Sequence, residues 1–193
     1  MSNGYLSVRD LHVVMTVEPF IDFFHIREKN KTAKEIYSLV QQLHQLGFPL
    51  SKILINDRVD VAAITSVRGT HLAYHSVPVV EVKQKFPKLV CGKSVHDLDE
   101  AILAEKEVAD YIIYGHIFAS TSKKGVAPRG IHSLKEIINC VSIPVIAIGG
   151  ITPKNVKSVM DCGVQGVAII SSIWEAEFPL QVAKEIYHVV HTL

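Results

Sequence analysis

Two rhythms of apolar residues alternate along this chain: short β-branched runs of strand length, and longer stretches whose apolar positions recur every three or four residues. The first rhythm predicts strands at 11–15, 23–26, 53–55, 70–73, 89–92, 111–114, 145–148 and 167–170. The second predicts helices at 33–46, ended by Gly47, at 59–66, at 79–86, ended by Pro87, and at 98–107, 134–140, 154–162 and 180–190. Pro153 and Pro179 stand where a helix begins without losing a hydrogen bond. Strands alternating with helices predict an α/β fold, a compact (β/α)8 TIM barrel spanning 1–193 as a single domain.

One join does not fit. Only seven residues separate Met15 from Phe23, whereas parallel neighbours need a crossover of about a dozen or more. Either the first helix is missing or reduced to a turn around Pro19, or the first strand is misplaced. Composition otherwise agrees with one core, with 193 residues, 48% hydrophobic and 20% charged. Twenty Lys and Arg against 19 Asp and Glu, without long blocks of either sign, give no footprint for nucleic acid or an anionic membrane. Cys91, Cys140 and Cys162 are odd in number and form no Cys-x-x-Cys pair, which reads as reduced thiols. No apolar run reaches the length of a signal peptide core or a membrane span, so a cytoplasmic location is expected.

The last third carries the clearest chemistry. The run Pro144 to Ile148 ends in Gly149-Gly150-Ile151, and Gly166 to Ile170 ends in Ser171-Ser172. Two consecutive strands ending in residues that admit close backbone approach are how a barrel holds a phosphate, on amides after strands seven and eight. The rival reading of Gly149-Gly150 is a tight turn and nothing more. Expected phosphate ligands are Gly149, Gly150, Ile170, Ser171 and Ser172, with both serine hydroxyls free to help, and the expected substrate is a small phosphate ester.

Motifs at successive strand ends add a family resemblance covering about 23–173. Ile26-Arg27-Glu28-Lys29, Ile55-Asn56-Asp57-Arg58, Thr70-His71-Leu72, Gly92-Lys93-Ser94-Val95-His96, Ala109-Asp110-Tyr111, Gly115-His116-Ile117-Phe118, Thr121-Ser122-Lys123 and Ala147-Ile148-Gly149-Gly150 resemble the thiamine phosphate synthase superfamily. The resemblance implies either of two chemistries. The synthase condenses a pyrimidine pyrophosphate with a thiazole phosphate, using Mg²⁺ held by carboxylates. Its strand-four pattern continues into Gln-x-Asp, but here His71-Leu72 is followed by Ala73-Tyr74-His75-Ser76, which leaves Asp57 alone. Its Gly-Pro-x-Phe loop is here Gly115-His116-Ile117-Phe118, replacing a proline with a group able to move protons.

Both departures resemble the thiazole tautomerase (TenI-type) branch, an isomerase that aromatises a carboxylated thiazole phosphate in thiamine biosynthesis. That resemblance implies His116 as general base and then acid, held neutral by the nearby Lys123 and Lys124, and Arg27 with Lys123 on the substrate carboxylate. Lys29, Asn56 and Ser94 are further pocket candidates. No metal and no organic cofactor are expected. Each assignment has a plainer rival. Arg27 to Lys29 could form a solvated turn, and Ser94 and His96 could serve the next helix start. His71 and His75, at i and i+4, could suggest a metal pair, but structural histidines are the better expectation. The alternatives to the tautomerase are the Mg²⁺-dependent synthase and a catalytically silent phosphate-binding regulator. Related barrels commonly self-associate through outer helices, so a homo-oligomer is left open.

Overall fold

The computed structural model describes residues 1–120, 123 and 125–192. Seven parallel strands, β1 (Phe24–Ile26), β2 (Ile53–Asn56), β3 (Gly69–Leu72), β4 (Val90–Val95), β5 (Tyr111–Gly115), β6 (Val145–Ile148) and β7 (Gly166–Ala168), pair in chain order as one sheet. Helices α2 (Ala33–Gln45), α3 (Val59–Thr65), α4 (Val79–Lys85), α5 (Leu98–Lys106), α6 (Gly130–Cys140) and α7 (Val156–Met160) make the crossovers, with α9 (Pro179–Thr192) last. The architecture is TIM-barrel-like, with a curled seven-stranded sheet in place of the expected eight strands.

The difference lies at the start. Residues 11–15, expected as a strand, belong to helix α1 (Leu11–Val17). Leu11, Val14 and Val17 are its buried positions, a three-residue spacing that forms one helical face. The intervening Val13 and Met15 disguise it as a continuous strand-like run. A short 3-10 turn, Glu18–Phe20, with Pro19 near its start, then delivers the chain to β1. This removes the conflict over the short join, because β1 is the first strand of the sheet.

Between β7 and β1 the chain places its N-terminal residues. The Met1 amine donates to the Ile169 carbonyl at 3.2 Å, and the Ser2 amide donates to the His25 carbonyl at 2.8 Å. Deeper in the same gap lies a cavity of about 720 Å3, bordered by Val14, Val17, Phe24, Ile146, Val167 and Ile173.

Strand alternation separates two environments. Phe24, Ile26, Ile53, Ile55, Leu72, Cys91, Ile112, Val145 and Ala147 are buried in the hydrophobic core. The alternate set, including His25, Asn56, His71, Ser94 and Ile113, borders the space that the sheet encloses. That interior is narrow and partly polar. His71 pairs in register with Gly92, and Gly92 with Tyr111, so the Tyr111 ring crosses the bare glycine. A Cβ at Gly92 would lie 2.1 Å from Tyr111 Cζ. Burial holds the His71 imidazole down to about 3, with Lys93 and Arg27 adding to the effect. His25 is likewise pushed well down, first by burial and then by His71.

Two outcomes follow for stability. Gly92→Ala should cost about 1–3 kcal/mol by overpacking against Tyr111, read as a lower thermal midpoint. The pH dependence has a defined sign. Both histidines stay neutral in the fold but take up protons in the unfolded chain below about pH 6.5, so stability falls as pH drops from there toward 3. The slope is about 1.4 kcal/mol per pH unit for each imidazole. Urea melts between pH 7 and 5 should show that loss, and His71→Gln should reduce the slope.

Candidate functional site

Alternation turns the last inward residue of each strand toward the C-terminal mouth, and the loops continue its wall. Arg27 follows β1, Asn56 ends β2, Ser94 lies on β4, His116 follows β5, and Gly149 and Gly150 follow β6. Ile170, Ser171 and Ser172 form the entry to α8 (Ser171–Trp174), a short helix that the sequence pattern did not predict. All of these, with Lys29 and Lys123, border one cavity of about 640 Å3. The structure therefore brings together every residue proposed from sequence for catalysis or binding. Thr121, Ser122 and Lys124, part of the motif after β5, lie outside the described residues.

Charge at this mouth is one-sided. Arg27, Lys29 and Lys123 all border it, and among the described residues none is within ion-pair distance of a carboxylate. Unpaired cations around a concave site raise the local concentration of anions. Arg27 is also held at its backbone, where its amide donates to Ser2 Oγ at 2.8 Å.

The loops after β5 and β6 are packed face to face. Ile117 N–H donates to Ile148 O at 2.9 Å and Phe118 N–H to Gly149 O at 3.0 Å. Gly149 takes φ +102°, and a Cβ there would sit 2.2 Å from His116 Cβ. Close approach and a positive φ thus both demand glycine. Asn155 anchors the turn, donating from Nδ2 to Gly150 O at 2.9 Å and accepting from Thr152 N–H at 2.8 Å. In α8 the amides of Ile173 and Trp174 both reach Ile170 O, while those of Ser171 and Ser172, in the first turn, have no intrahelical acceptor. Such amides suit a phosphate. One expectation needs correction: the Ser172 hydroxyl is not free, because it donates to Ile151 O at 2.6 Å and links the two loops instead.

His116 is 5% exposed. Its Nε2 lies 3.2 Å from Val126 O. A carbonyl can only accept, so Nε2 carries the hydrogen and Nδ1 is the nitrogen able to take a proton. The loop is strapped by Arg129, whose amide donates to His116 O at 2.9 Å and whose Nε donates to Gly115 O at 3.1 Å.

His71 and His75 do not converge. His71 turns into the barrel, with Nε2 at 2.8 Å from Ser94 Oγ and Nδ1 at 3.2 Å from Tyr111 OH, whereas His75 Nε2 lies 3.3 Å from Asp57 Oδ2. The other Asp57 oxygen accepts from Ser76 Oγ. Among the described residues no group of three or more His, Cys, Asp or Glu could hold a metal. Both oxygens of Asp57, the strand-end carboxylate of the motif set, are thus engaged by Ser76 and His75. The sequence reading missed Asn3, Tyr5 and Ser120 as parts of the wall, since no periodicity marks those segments. It also missed the facing of His71, which its two-residue offset from Gly69 on β3 would have revealed.

Comparison with known proteins corrects the expected activity. The family model described as thiamine monophosphate synthase matches residues 11–173. Thiamine-phosphate synthase of Pyrococcus furiosus is 36% identical over 166 residues, 86% of this chain and 80% of that protein. That of Pyrococcus horikoshii is 37% identical over 153 residues, 79% and 74%. The solved thiamine phosphate pyrophosphorylase of Pyrococcus furiosus superposes with a TM-score of 0.85 at 31% identity, covering 98% of this chain and 92% of that one. A 3-hexulose-6-phosphate synthase, at 14% identity and a TM-score of 0.71, shares the fold. The isomerase expected from His116 and the absent strand-end carboxylate is overturned: these relatives carry the name of a synthase, a transferase, and not of a thiazole tautomerase. Matched along most of its length by both sequence and structure, the chain belongs to the thiamine monophosphate synthase family, within thiamine biosynthesis.

Proposed function

We propose that this chain carries out the transfer for which its relatives are named, joining a pyrimidine borne on pyrophosphate to a thiazole phosphate to form thiamine phosphate. The observation that supports it is the mouth itself, where Arg27, Lys29 and Lys123 stand without carboxylate partners among the described residues, beside the Gly149-Gly150 turn and the first turn of α8. Two anionic groups must be held for this reaction, and the cavity offers two kinds of anion ligand. The amides of Gly150, Ser171 and Ser172 suit the phosphate monoester, which stays unchanged. The cations suit the pyrophosphate, which leaves. As the bond from the pyrimidine methylene to oxygen breaks, negative charge grows on that oxygen. Fixed positive groups stabilise it most in the transition state. Asn56 and Ser94 are placed to orient the second reactant. His116, with Nδ1 able to accept, borders the ring-binding space.

A second reading is favoured by one observation. Asp57 is tied to Ser76 and His75, and among the described residues no group of three or more His, Cys, Asp or Glu could hold the magnesium that a pyrophosphate transferase draws on. A catalytically silent member that binds a phosphate ester would have the same cradle without that need.

The two are separated by mixing the purified chain with the pyrimidine pyrophosphate and thiazole phosphate, with and without Mg²⁺, and measuring thiamine phosphate after oxidation to its fluorescent form. Product formation establishes the transferase. Saturable binding of thiazole phosphate without product establishes the silent binder, and neither result would remove both readings. In an active enzyme, Arg27→Ala should lower kcat/KM by about tenfold to a hundredfold, the scale of a lost charge-assisted hydrogen bond, with an unchanged melting temperature.

A further inference from the structure

Beneath the mouth lies a three-residue chain, two members of which, Tyr111 and His71, have no direct part in the proposed transfer. Tyr111 OH is 3.2 Å from His71 Nδ1, and His71 Nε2 is 2.8 Å from Ser94 Oγ. Both His71 and Ser94 border the cavity. The geometry originates in the sheet. His71, Gly92 and Tyr111 are lateral neighbours across β3, β4 and β5, and the missing side chain at Gly92 leaves room for the phenol ring to reach the imidazole. Ser94 is two residues beyond Gly92 on β4, so strand alternation turns it to the same interior face.

From this arrangement we infer that Tyr111 and His71 are positioning residues that set the direction of the Ser94 hydroxyl, making it a hydrogen-bond donor to an acceptor atom of the ligand in the mouth. The argument is one of donors and acceptors. The phenol has a single hydrogen, and the His71 ring is its only hydrogen-bond partner among the described residues. If Nδ1 carried the hydrogen, the Tyr111 hydrogen would have no acceptor among the described residues, which is costly for a largely desolvated phenol. Tyr111 therefore donates to Nδ1. A neutral imidazole then carries its one hydrogen on Nε2 and donates to Ser94 Oγ. With its oxygen accepting from His71, Ser94 keeps its own hydrogen for the cavity. Neutrality is secured by burial, which takes His71 down to about 3 and pushes the Tyr111 phenol up beyond its ordinary range. The nearby His25 does not compete, since its ring centroid is 5.4 Å from that of His71 and its buried Nδ1 has no hydrogen-bond partner among the described residues.

This inference rests on the proposed reading only in taking that mouth as the ligand site, and two measurements keep the two apart. The first is spectroscopic and needs no substrate. In protein labelled with 15N-histidine, the His71 signals, assigned by their loss in His71→Gln, should show the Nε2–H tautomer throughout pH 5 to 8. An Nδ1–H tautomer or an imidazolium in that range would overturn the inference. The second is a double-mutant cycle. Tyr111→Phe and Ser94→Ala should each raise KM for the pyrimidine pyrophosphate by about tenfold, and the double variant should be no worse than Ser94→Ala alone. Additive losses would mean that Tyr111 acts through packing and would sink the relay. If the parent chain shows no turnover, the proposed transfer fails, and the tautomer measurement still decides this inference.

Discussion

Everything at the working end of this molecule depends on how closely its neighbouring strands and loops approach inside a small barrel. At Gly69 a Cβ would lie 1.9 Å from the Val90 carbonyl oxygen, and at Gly115 it would lie 2.2 Å from that of Ile148. These contacts are with backbone, which cannot swing aside as a side chain can. Gly149 repeats the constraint one loop higher, against His116. Glycine at these points lets a sheet of seven short strands curl tightly enough to converge Arg27, Asn56, Ser94, His116 and the turn after β6 on one cavity.

That convergence sets the electrostatics. Three lysines elsewhere are matched: Lys52 pairs with Glu18, Lys83 with Asp110 and Lys157 with Asp161. Among the described residues the cations of the mouth are not, and such charge raises the local concentration of anions. Below them the interior changes character. His25 and His71 are kept neutral by burial, so the floor offers oriented hydrogen bonds without charge.

Much of this was legible in the chain. Seven of the eight expected strand positions are occupied by strands, because β-branched runs bounded by glycine, proline or polar residues have few other ways to bury themselves. The candidate residues that line the mouth could be named from their placement just after those strands. Where the reading failed, local pattern was ambiguous. Residues 11–17 are apolar on both sides of a helix, and only docking of the Leu11, Val14 and Val17 face decides between helix and strand. Helix α8 is too short to display a period. The isomerase expectation leaned on His116 and a missing carboxylate, two local substitutions, while similarity along the whole chain pointed to synthases.

The sequence by itself determined the alternation of strands and helices, the parallel sheet, the glycine- and serine-ended loops after β6 and β7, and the residues that gather at the mouth. All of these follow from period and position, which are properties of neighbours in the chain. Tertiary structure alone decided that the sheet has seven strands, with N-terminal residues at the gap between β7 and β1. It also decided that Ser172 spends its hydroxyl on Ile151, that Asp57 is claimed by Ser76 and His75, and that Tyr111 reaches His71 across Gly92. Each of these is a contest for hydrogen-bond partners between segments distant in sequence. Its outcome depends on which atoms arrive within about 3 Å of one another, and no local pattern encodes that.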